Sequence, residues 1–219
     1  MSRKTPIAIL ASGRGSNFEA ILHAVTSGSL SAKIVAVVSD QRDAPVLHKA
    51  KVAGIDTFYL PVQETAANVF ERRKLHEAAL LKMLEPFSPY FLVMAGYMRV
   101  VSGLLIDRFN SNKGYARIVN IHPSLLPAFP GVDAYAKAYR FGAKVTGVTM
   151  HLIDETLDGG PICAQESFSI SDCRSELEVE QRGLVIEHRL YPETLKWVLA
   201  EEFTIERNSK GGRLCVRKN

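Results

Sequence analysis

An amide and an imidazole stand two residues apart in the segment Asn120-Ile121-His122. If residues 117–121 form a strand, both side chains project from one face at its carboxyl end, where α/β sheets bind ligands. An Asn side chain can donate a hydrogen bond to a carbonyl oxygen, and a protonated His can stabilise the oxyanion that replaces it. The pair therefore has the chemistry that acyl transfer to an amine requires. A capping Asn and a structural His at a strand end are the alternative.

A carboxylate that could support the imidazole follows in the turn Asp158-Gly159-Gly160-Pro161. The glycines and the proline impose a tight backbone and leave Asp158 at the tip. If Asp158 faces His122, opposite charges about 4 Å apart attract by about 4 kcal/mol at an effective dielectric of 20, before desolvation is subtracted. This attraction would favour the imidazolium form near neutral pH. A plain Asp-Gly turn is the alternative.

His151 lies on the expected strand before this turn and is a second candidate imidazole. It either completes the polar cluster or has a structural role. His122, His151 and Asp158 could also hold a metal, because three such ligands leave an open coordination position. A metal is the less favoured of these interpretations.

The loop Gly13-Arg14-Gly15-Ser16-Asn17 joins an expected strand to an expected helix. Exposed backbone N–H groups and the helix dipole favour an anion at such a junction, and glycine permits its close approach. The loop is therefore a candidate phosphate site. A dinucleotide fingerprint is incomplete, because its third glycine is replaced by Phe18, although Asp40 ends the second strand where that motif needs an acid. A plain tight turn is the third interpretation.

Two other catalytic patterns are incomplete. His76-Glu77 lacks the second His of a zinc protease motif, because position 80 is Leu. Ser124 lies outside any G-x-S-x-G elbow, which gives a serine hydrolase little support.

Short apolar runs that alternate with helical patterns make up the first half of the chain. They predict a mostly parallel sheet with helices on both faces. The expected strands are 7–11, 34–39, 55–60, 90–95 and 117–121, and the expected helices are 17–26, 45–53 and 65–85.

The second half of the chain has a different pattern of residues, with a β-branched run followed by a tight turn, and it predicts a partly antiparallel arrangement of strands. Strands are expected at 145–153 and 162–170, a long helix at 175–200, and a hairpin at 203–216 around Gly211-Gly212. The fold class that follows is α/β: a single domain with a Rossmann-like, mostly parallel sheet that becomes partly antiparallel towards its C-terminal half.

Length and composition limit the classes of protein. The 219 residues are 47% hydrophobic and 23% charged, near the averages of globular proteins. No apolar run reaches the roughly 18 residues of a spanning helix, and residues 7–11 are too few for a signal-peptide core. Three cysteines form no C-x-x-C pair, and the net charge of +4 is too diffuse to indicate nucleic-acid binding. A cytoplasmic protein with neither membrane nor nucleic-acid partners is expected.

Four motifs together resemble the phosphoribosylglycinamide formyltransferases, the folate-dependent enzymes of purine synthesis, along nearly the whole chain. The motifs at 120–127 and 157–161, in this order and spacing, are highly specific to formyltransferases of this fold. Arg14 and Val100-Val101 depart from some relatives, at positions that bear on affinity more than on chemistry. The four motifs are the loop 13–17, Ala95-Gly96-Tyr97-Met98-Arg99, Asn120-Ile121-His122-Pro123-Ser124-Leu125-Leu126-Pro127 and Leu157-Asp158-Gly159-Gly160-Pro161.

The resemblance implies a role for each matching position. Asn120 would hold the formyl oxygen, His122 would act as acid and oxyanion partner, and Asp158 would support the charged His122. The residues implied to bind the acceptor are Gly15, Ser16 and Asn17, at its ribosyl phosphate, and Glu187, at its glycinamide. The residues implied to line the folate pocket are Arg73, Met98, Arg99, Val100, Val101, Asn120, Asp154, Glu155, Thr156 and Leu157.

The resemblance also implies one formyltransferase domain over residues 1–219, with a phosphate-binding half at about 1–105 and a catalytic, folate-binding half at about 106–219. Such an enzyme transfers the formyl group of 10-formyltetrahydrofolate to the amine of 5-phosphoribosylglycinamide in de novo purine (IMP) synthesis. It would need no metal and would be a monomer or homodimer.

Three rival functions stay open. Relatives that formylate methionyl-tRNA carry an added C-terminal domain, and formyltetrahydrofolate hydrolases carry an N-terminal regulatory domain. A chain of 219 residues is expected to have room for neither. The rival of a different class is a nucleotide-binding module in which the glycine loop holds a dinucleotide and the His/Asp cluster is structural.

Overall fold

The computed structural model describes residues 4–62, 68–207 and 214–219. Nine strands and six α-helices are formed by these residues. The strands are β1 (Thr5–Leu10), β2 (Ala32–Ser39), β3 (Thr57–Tyr59), β4 (Phe91–Met94), β5 (Ile118–His122), β6 (Val145–Leu152), β7 (Ile162–Ser169), β8 (Phe203–Arg207) and β9 (Leu214–Lys218). The helices are α1 (Ser16–Thr26), α2 (Pro45–Val52), α3 (Val69–Leu84), α4 (Gly103–Arg108), α5 (Ala134–Phe141) and α6 (Glu176–Leu199).

Seven strands form one sheet in the order β3-β2-β1-β4-β5-β6-β7. The pairings among the first five strands are parallel. The last two strands add in antiparallel fashion. The strand order reverses between β1 and β4, which is where open α/β sheets leave a crevice for ligands. The predicted α/β fold, mostly parallel and partly antiparallel at its C-terminal side, is confirmed.

Two apolar layers enclose the sheet. The strands are buried on both faces: Ile7 and Ile9 of β1 pack into the layer under α1, α2, α5 and α6. Ala8 and Leu10 of the same strand pack into the layer under α3 and α4. This alternation explains why the strands read as continuous apolar runs in the sequence.

Some element boundaries differ from those that the sequence predicts. The helix expected from residue 65 begins at Val69, where Asn68 accepts a capping hydrogen bond from the N–H of Glu71 at 2.9 Å. Residues 65–67 and the expected hairpin turn at 211–212 lie outside the described residues. Helices α4 and α5 were not predicted, because six and eight residues are fewer than the roughly 11 to 18 over which a helical period is recognised.

Helix α6 is fixed to the centre of the sheet by the fully buried Tyr191. Its hydroxyl donates to the carbonyl of Met94 at 2.7 Å and lies 3.4 Å from the carbonyl of Val119. These carbonyls belong to β4 and β5, so one side chain joins the helix to both strands. Among the described residues, none of the helices combines the length and apolarity needed to cross a bilayer.

Glu201 joins the loop before β5 to the turn after α6. Its carboxylate accepts hydrogen bonds from Lys113 Nζ, Tyr115 Oη and Arg117 Nε, each at 2.8 Å. The Tyr115 ring also contacts Phe203 of β8, with ring centroids 4.9 Å apart. Burial favours the neutral acid, but the three donors outweigh it and lower the pKa of Glu201 to about 2.

Replacing Glu201 by Gln should therefore reduce the free energy of unfolding at neutral pH by on the order of 1–2 kcal/mol. Because the folded pKa lies below the ordinary value of 4.5, the carboxylate stabilises the fold above about pH 4.5 and loses that effect as the pH falls towards 2. The difference in Tm between wild type and Glu201→Gln, followed by scanning calorimetry, should shrink across that interval.

The matched control for this experiment is Glu206→Gln, which removes an exposed ion pair with Arg217 in the hairpin. It should change Tm little at any pH, since exposed pairs contribute little. A difference between wild type and Glu201→Gln that stayed constant down to pH 2 would contradict the role given to the three donors.

Candidate functional site

A cavity of about 690 Å³ opens at the carboxyl ends of β4 and β5. Three loops, the starts of α1 and α5 and one face of α6 enclose it, beside the point where the strand order reverses. It contains most of the residues expected from the sequence. These are Asn17, Met98, Arg99, Val100, Val101, Asn120, His122, Asp154, Glu155, Thr156, Leu157, Asp158 and Glu187.

Asn120 is held by the strand beside it. In the antiparallel pair β5–β6 it lies opposite His151, and its Nδ2 is 3.3 Å from His151 Nε2. His151 Nδ1 lies 3.0 Å from the carbonyl of Leu152, which can only accept, so Nδ1 carries the proton. Burial lowers the pKa of His151, which keeps the ring neutral and makes Nε2 an acceptor. The Asn120 amide therefore donates one N–H to His151 Nε2. Its second N–H can donate to a ligand in the cavity.

His122 is also buried and has a contact at each ring nitrogen. Nε2 donates to the carbonyl of Phe129 at 2.9 Å. Nδ1 lies 3.5 Å from Asp158 Oδ2, within ion-pair range but longer than a strong hydrogen bond. The same carboxylate oxygen accepts the N–H of Gly131 at 2.7 Å. The structure thus brings Asn120, His122 and Asp158 together in the lining of the cavity, with His151 beside them.

The turn that delivers Asp158 depends on Gly160 and on an unusual backbone conformation at Asp158 itself. Asp158 has a left-handed backbone conformation, with φ of 48°, which a residue other than glycine rarely adopts. A Cβ on Gly160 would stand 1.9 Å from the carbonyl oxygen of Leu152, so only glycine fits there. These constraints place the Asp158 carboxylate beside His122 rather than in solvent. The turn therefore positions a side chain as well as reversing the chain.

The glycine loop places the start of α1 beside the cavity, which Asn17 lines. Gly15 has φ of 76°, and a Cβ there would meet Val46 at 2.8 Å, so glycine is required. Ser16 begins the helix, whose first N–H groups have no carbonyl partner within it and can bind an anion. Asn17 reaches the cavity itself, and its Nδ2 donates to Glu187 Oε2 at 2.6 Å. Gly15 and Ser16 lie in this loop but are not part of the cavity lining.

Asp40, which the dinucleotide interpretation requires as a ribose acceptor, is already engaged by the chain. It accepts from Ser12 Oγ at 2.6 Å and from Arg99 Nε at 2.7 Å. Burial opposes its ionisation, but these hydrogen bonds outweigh burial and hold the pKa of Asp40 below its ordinary value. Ser12 Oγ also accepts the N–H of Met98 at 2.9 Å. The cluster thus ties the glycine loop to the loop after β4 and leaves little capacity for a ribose.

His76 and Glu77 brace that loop after β4 from α3, a role that sequence reasoning missed. His76 Nε2 lies 2.6 Å from the hydroxyl of Tyr97, and burial lowers the pKa of His76. Glu77 accepts the N–H of Ser102 at 2.6 Å. The available signal was the spacing of His76 four and eight residues before Leu80 and Leu84, which puts it on the buried face of the helix. Arg73, on the same helix, is not part of the cavity lining, so its expected folate contact stays a prediction.

Further lining residues were not anticipated from the sequence. Glu176 and Glu180 of α6 line the cavity beside Glu187, and Val132 and Tyr135 line it from the loop before α5 and from α5 itself. The described residues contain no group of three or more His, Cys, Asp or Glu side chains placed to hold a metal ion. This finding gives the metal interpretation of His122, His151 and Asp158 no support.

Comparison with known proteins identifies the family. The model of the formyl transferase family matches residues 5–195. The chain is 36% identical over 192 residues to phosphoribosylglycinamide formyltransferase of Bacillus subtilis (strain 168), which covers 88% of this chain and 93% of that relative. It is 32% identical over 191 residues to the enzyme of that name from Escherichia coli (strain K12), which covers 87% of this chain and 85% of the relative.

A solved structure agrees with this relationship. The crystal structure of glycinamide ribonucleotide transformylase 1 from Symbiobacterium toebii superposes with a TM-score of 0.87 at 34% sequence identity, covering 100% of this chain and 95% of that one. The resemblance read from the sequence motifs is confirmed, and the chain belongs to the formyl transferase family and is an enzyme of that type.

Proposed function

We propose that this enzyme transfers the formyl group of 10-formyltetrahydrofolate to the amine of 5-phosphoribosylglycinamide, in the cytoplasmic de novo synthesis of purines (IMP). The observation that carries the proposal is the cluster of Asn120, His122 and Asp158 in a cavity that Asn17, in the first turn of α1, also lines. The identity of the acceptor is supported by the names of relatives that match most of the chain.

The reaction begins when the neutral amine attacks the formyl carbon. A C–N bond forms and the carbonyl oxygen becomes an oxyanion, which accepts the second N–H of Asn120, while His122, when protonated, would stabilise the negative charge from beside it. A proton then passes from the attacking nitrogen to N10 of the folate, with Asp158 holding the relaying water. The bond between the formyl carbon and N10 breaks, and tetrahydrofolate and the formylated amine leave.

The two substrates would bind in different chemical surroundings. Apolar side chains line the cavity from two loops, Met98 and Val100 from the loop after β4 and Leu157 from the loop after β6, and they suit the folate ring system. The N–H groups at the start of α1 suit the ribosyl phosphate, since the helix dipole favours an anion there. Glu187, beside Asn17, would accept from the glycinamide. No step requires a metal, because Asn120 and His122 supply the oxyanion contacts.

The test is to mix the protein with 10-formyltetrahydrofolate and each candidate acceptor and to follow tetrahydrofolate spectroscopically. We expect turnover only with 5-phosphoribosylglycinamide, and full activity in the presence of a chelator. Tetrahydrofolate release without an acceptor would favour a hydrolase. Saturable NAD(H) binding without folate-dependent turnover would favour the nucleotide-binding module instead.

Removing either oxyanion contact should be costly. Asn120→Ala and His122→Ala should each reduce kcat by about 10²- to 10³-fold, the loss typical of one oxyanion donor. The exposed His48 on α2 provides the control, because His48→Ala should leave kcat unchanged. If a correctly folded Asn120→Ala or His122→Ala protein stays within tenfold of wild type, the assignment is wrong.

His151 should affect catalysis by orienting the Asn120 amide rather than by contacting the substrate. His151→Phe keeps a ring of similar shape but removes the acceptor that orients the amide, so the amide can rotate its oxygen towards the oxyanion. We expect kcat to fall by about tenfold, with a much smaller change in KM for either substrate. Steady-state kinetics check this, together with circular dichroism to establish folding. An unchanged kcat would show that Asn120 is oriented without His151.

A further inference from the structure

Glu187 is a buried carboxylate that the chain satisfies with neutral donors. Asn17 Nδ2 donates to one of its oxygens at 2.6 Å, and the hydroxyl of Tyr135 donates to the other at 2.7 Å. No ion pair between Glu187 and a basic side chain occurs among the described residues. A buried carboxylate without a cation depends on its hydrogen bonds for both stability and orientation. The two neutral donors therefore set the direction in which Glu187 faces the cavity.

Tyr135 reaches Glu187 through a notch in α6. A Cβ on Gly183 would stand 2.1 Å from the Tyr135 hydroxyl oxygen and 2.2 Å from Cζ, far inside van der Waals contact. Gly183 lies one turn before Glu187 in a helix of 24 residues, where glycine costs about 1 kcal/mol relative to alanine. The phenol ring occupies the space that a side chain at this position would fill. The notch explains why a glycine stands inside α6, the longest helix among the described residues.

The Tyr135 hydroxyl stays protonated and acts as a fixed donor. Burial, and then the adjacent charge of Glu187, raise the pKa of Tyr135 far above its ordinary value. The ring is also held from the other side by Phe168 of β7, at a centroid distance of 6.1 Å. Tyr135 is therefore a rigid group, and its hydroxyl has Glu187 as its hydrogen-bond acceptor.

We infer that Tyr135 is a positioning residue for the acceptor subsite, and that Gly183 exists to admit it. The inference rests on the proposed function, in which Glu187 accepts from the glycinamide. In the bound state Tyr135 and Asn17 hold the carboxylate so that its remaining lone pairs face the amine end of the acceptor. The folate donor, proposed to contact the loops after β4 and β6, does not depend on this bond.

Tyr135→Phe removes only the hydroxyl. We expect kcat/KM for the acceptor to fall by about tenfold, mainly through KM, while KM for 10-formyltetrahydrofolate stays within about twofold. Tyr139→Phe is the matched control, because Tyr139 lies one turn later on α5 and donates to the carbonyl of Arg174, away from Glu187. It should leave both KM values unchanged. A Tyr135→Phe protein with an unchanged acceptor KM overturns the inference.

Gly183→Ala tests the same bond from the other helix. Its Cβ should displace the Tyr135 ring and raise the acceptor KM by at least as much as Tyr135→Phe does. Gly103→Ala, at a helical glycine with open space around it, is the control for an added methyl group. If Gly183→Ala folds and leaves the acceptor KM unchanged, the notch has no function in binding.

A double-mutant cycle separates positioning from general loosening of α5. In a Glu187→Gln background, Tyr135→Phe should have almost no further effect on the acceptor KM, because the charge that the hydroxyl orients is gone. Additive losses would show that Tyr135 acts on binding by another route and would overturn the inference.

A crystal structure of Tyr135→Phe gives a readout that does not need turnover. The Glu187 carboxylate should rotate away from the position it holds in wild type, and an unmoved carboxylate contradicts the inference even if the acceptor has been wrongly assigned. Conversely, a wild-type chain that fails to formylate 5-phosphoribosylglycinamide contradicts the proposed function and leaves the expected rotation of Glu187 to be judged on the structure.

Discussion

The site depends on the register of the antiparallel pair β5–β6. This register sets His151 opposite Asn120 and Thr149 opposite His122. The side chain of Thr149 donates to the carbonyl of Ser124 at 2.6 Å and accepts the N–H of Leu126 at 3.1 Å. It thereby fixes the loop that brings the Phe129 carbonyl back to His122. A slip of one residue would turn these side chains to the other face of the sheet and disconnect the amide, the imidazole and the loop together.

Buried polar side chains, rather than apolar packing alone, hold the loops around the cavity. Asp158 accepts the N–H of Gly131 in the loop before α5, and Glu77 accepts the N–H of Ser102 in the loop after β4. Asp40 joins that second loop to the glycine loop through Arg99 and Ser12. Each of these carboxylates accepts at least one hydrogen bond, as buried charged groups require. Loops held in this way can present fixed groups to a ligand, which catalysis by pre-oriented donors needs.

The sequence predicted the strands and their order of appearance better than it predicted the side-chain contacts of the site. Apolar runs located the parallel strands, because strands buried on both faces leave a continuous signal, and the two-residue period placed Asn120 and His122 on one face. It could not show that Asp158 comes within 3.5 Å of His122, because that distance follows from long-range strand register and from the backbone at Gly160. Short helices such as α5 were not predicted, because eight residues are too few to establish a helical period, and Tyr135 on α5 was therefore missed.

Helix α6 presents an acidic face close to the proposed phosphate site, where negative charge would oppose the binding of an anion. Arginine side chains pair with two of its carboxylates and so reduce that repulsion. Glu176, Glu180 and Glu187 all line the cavity, and three uncompensated carboxylates would repel an anionic acceptor. Arg140 of α5 pairs with Glu176, and Arg14 of the glycine loop pairs with Glu180. Glu187 alone keeps neutral donors. Of these three carboxylates, the one without an arginine partner is thus Glu187, which lies beside the expected amine. The same helix can therefore face a phosphate at one point and a nitrogen donor at another.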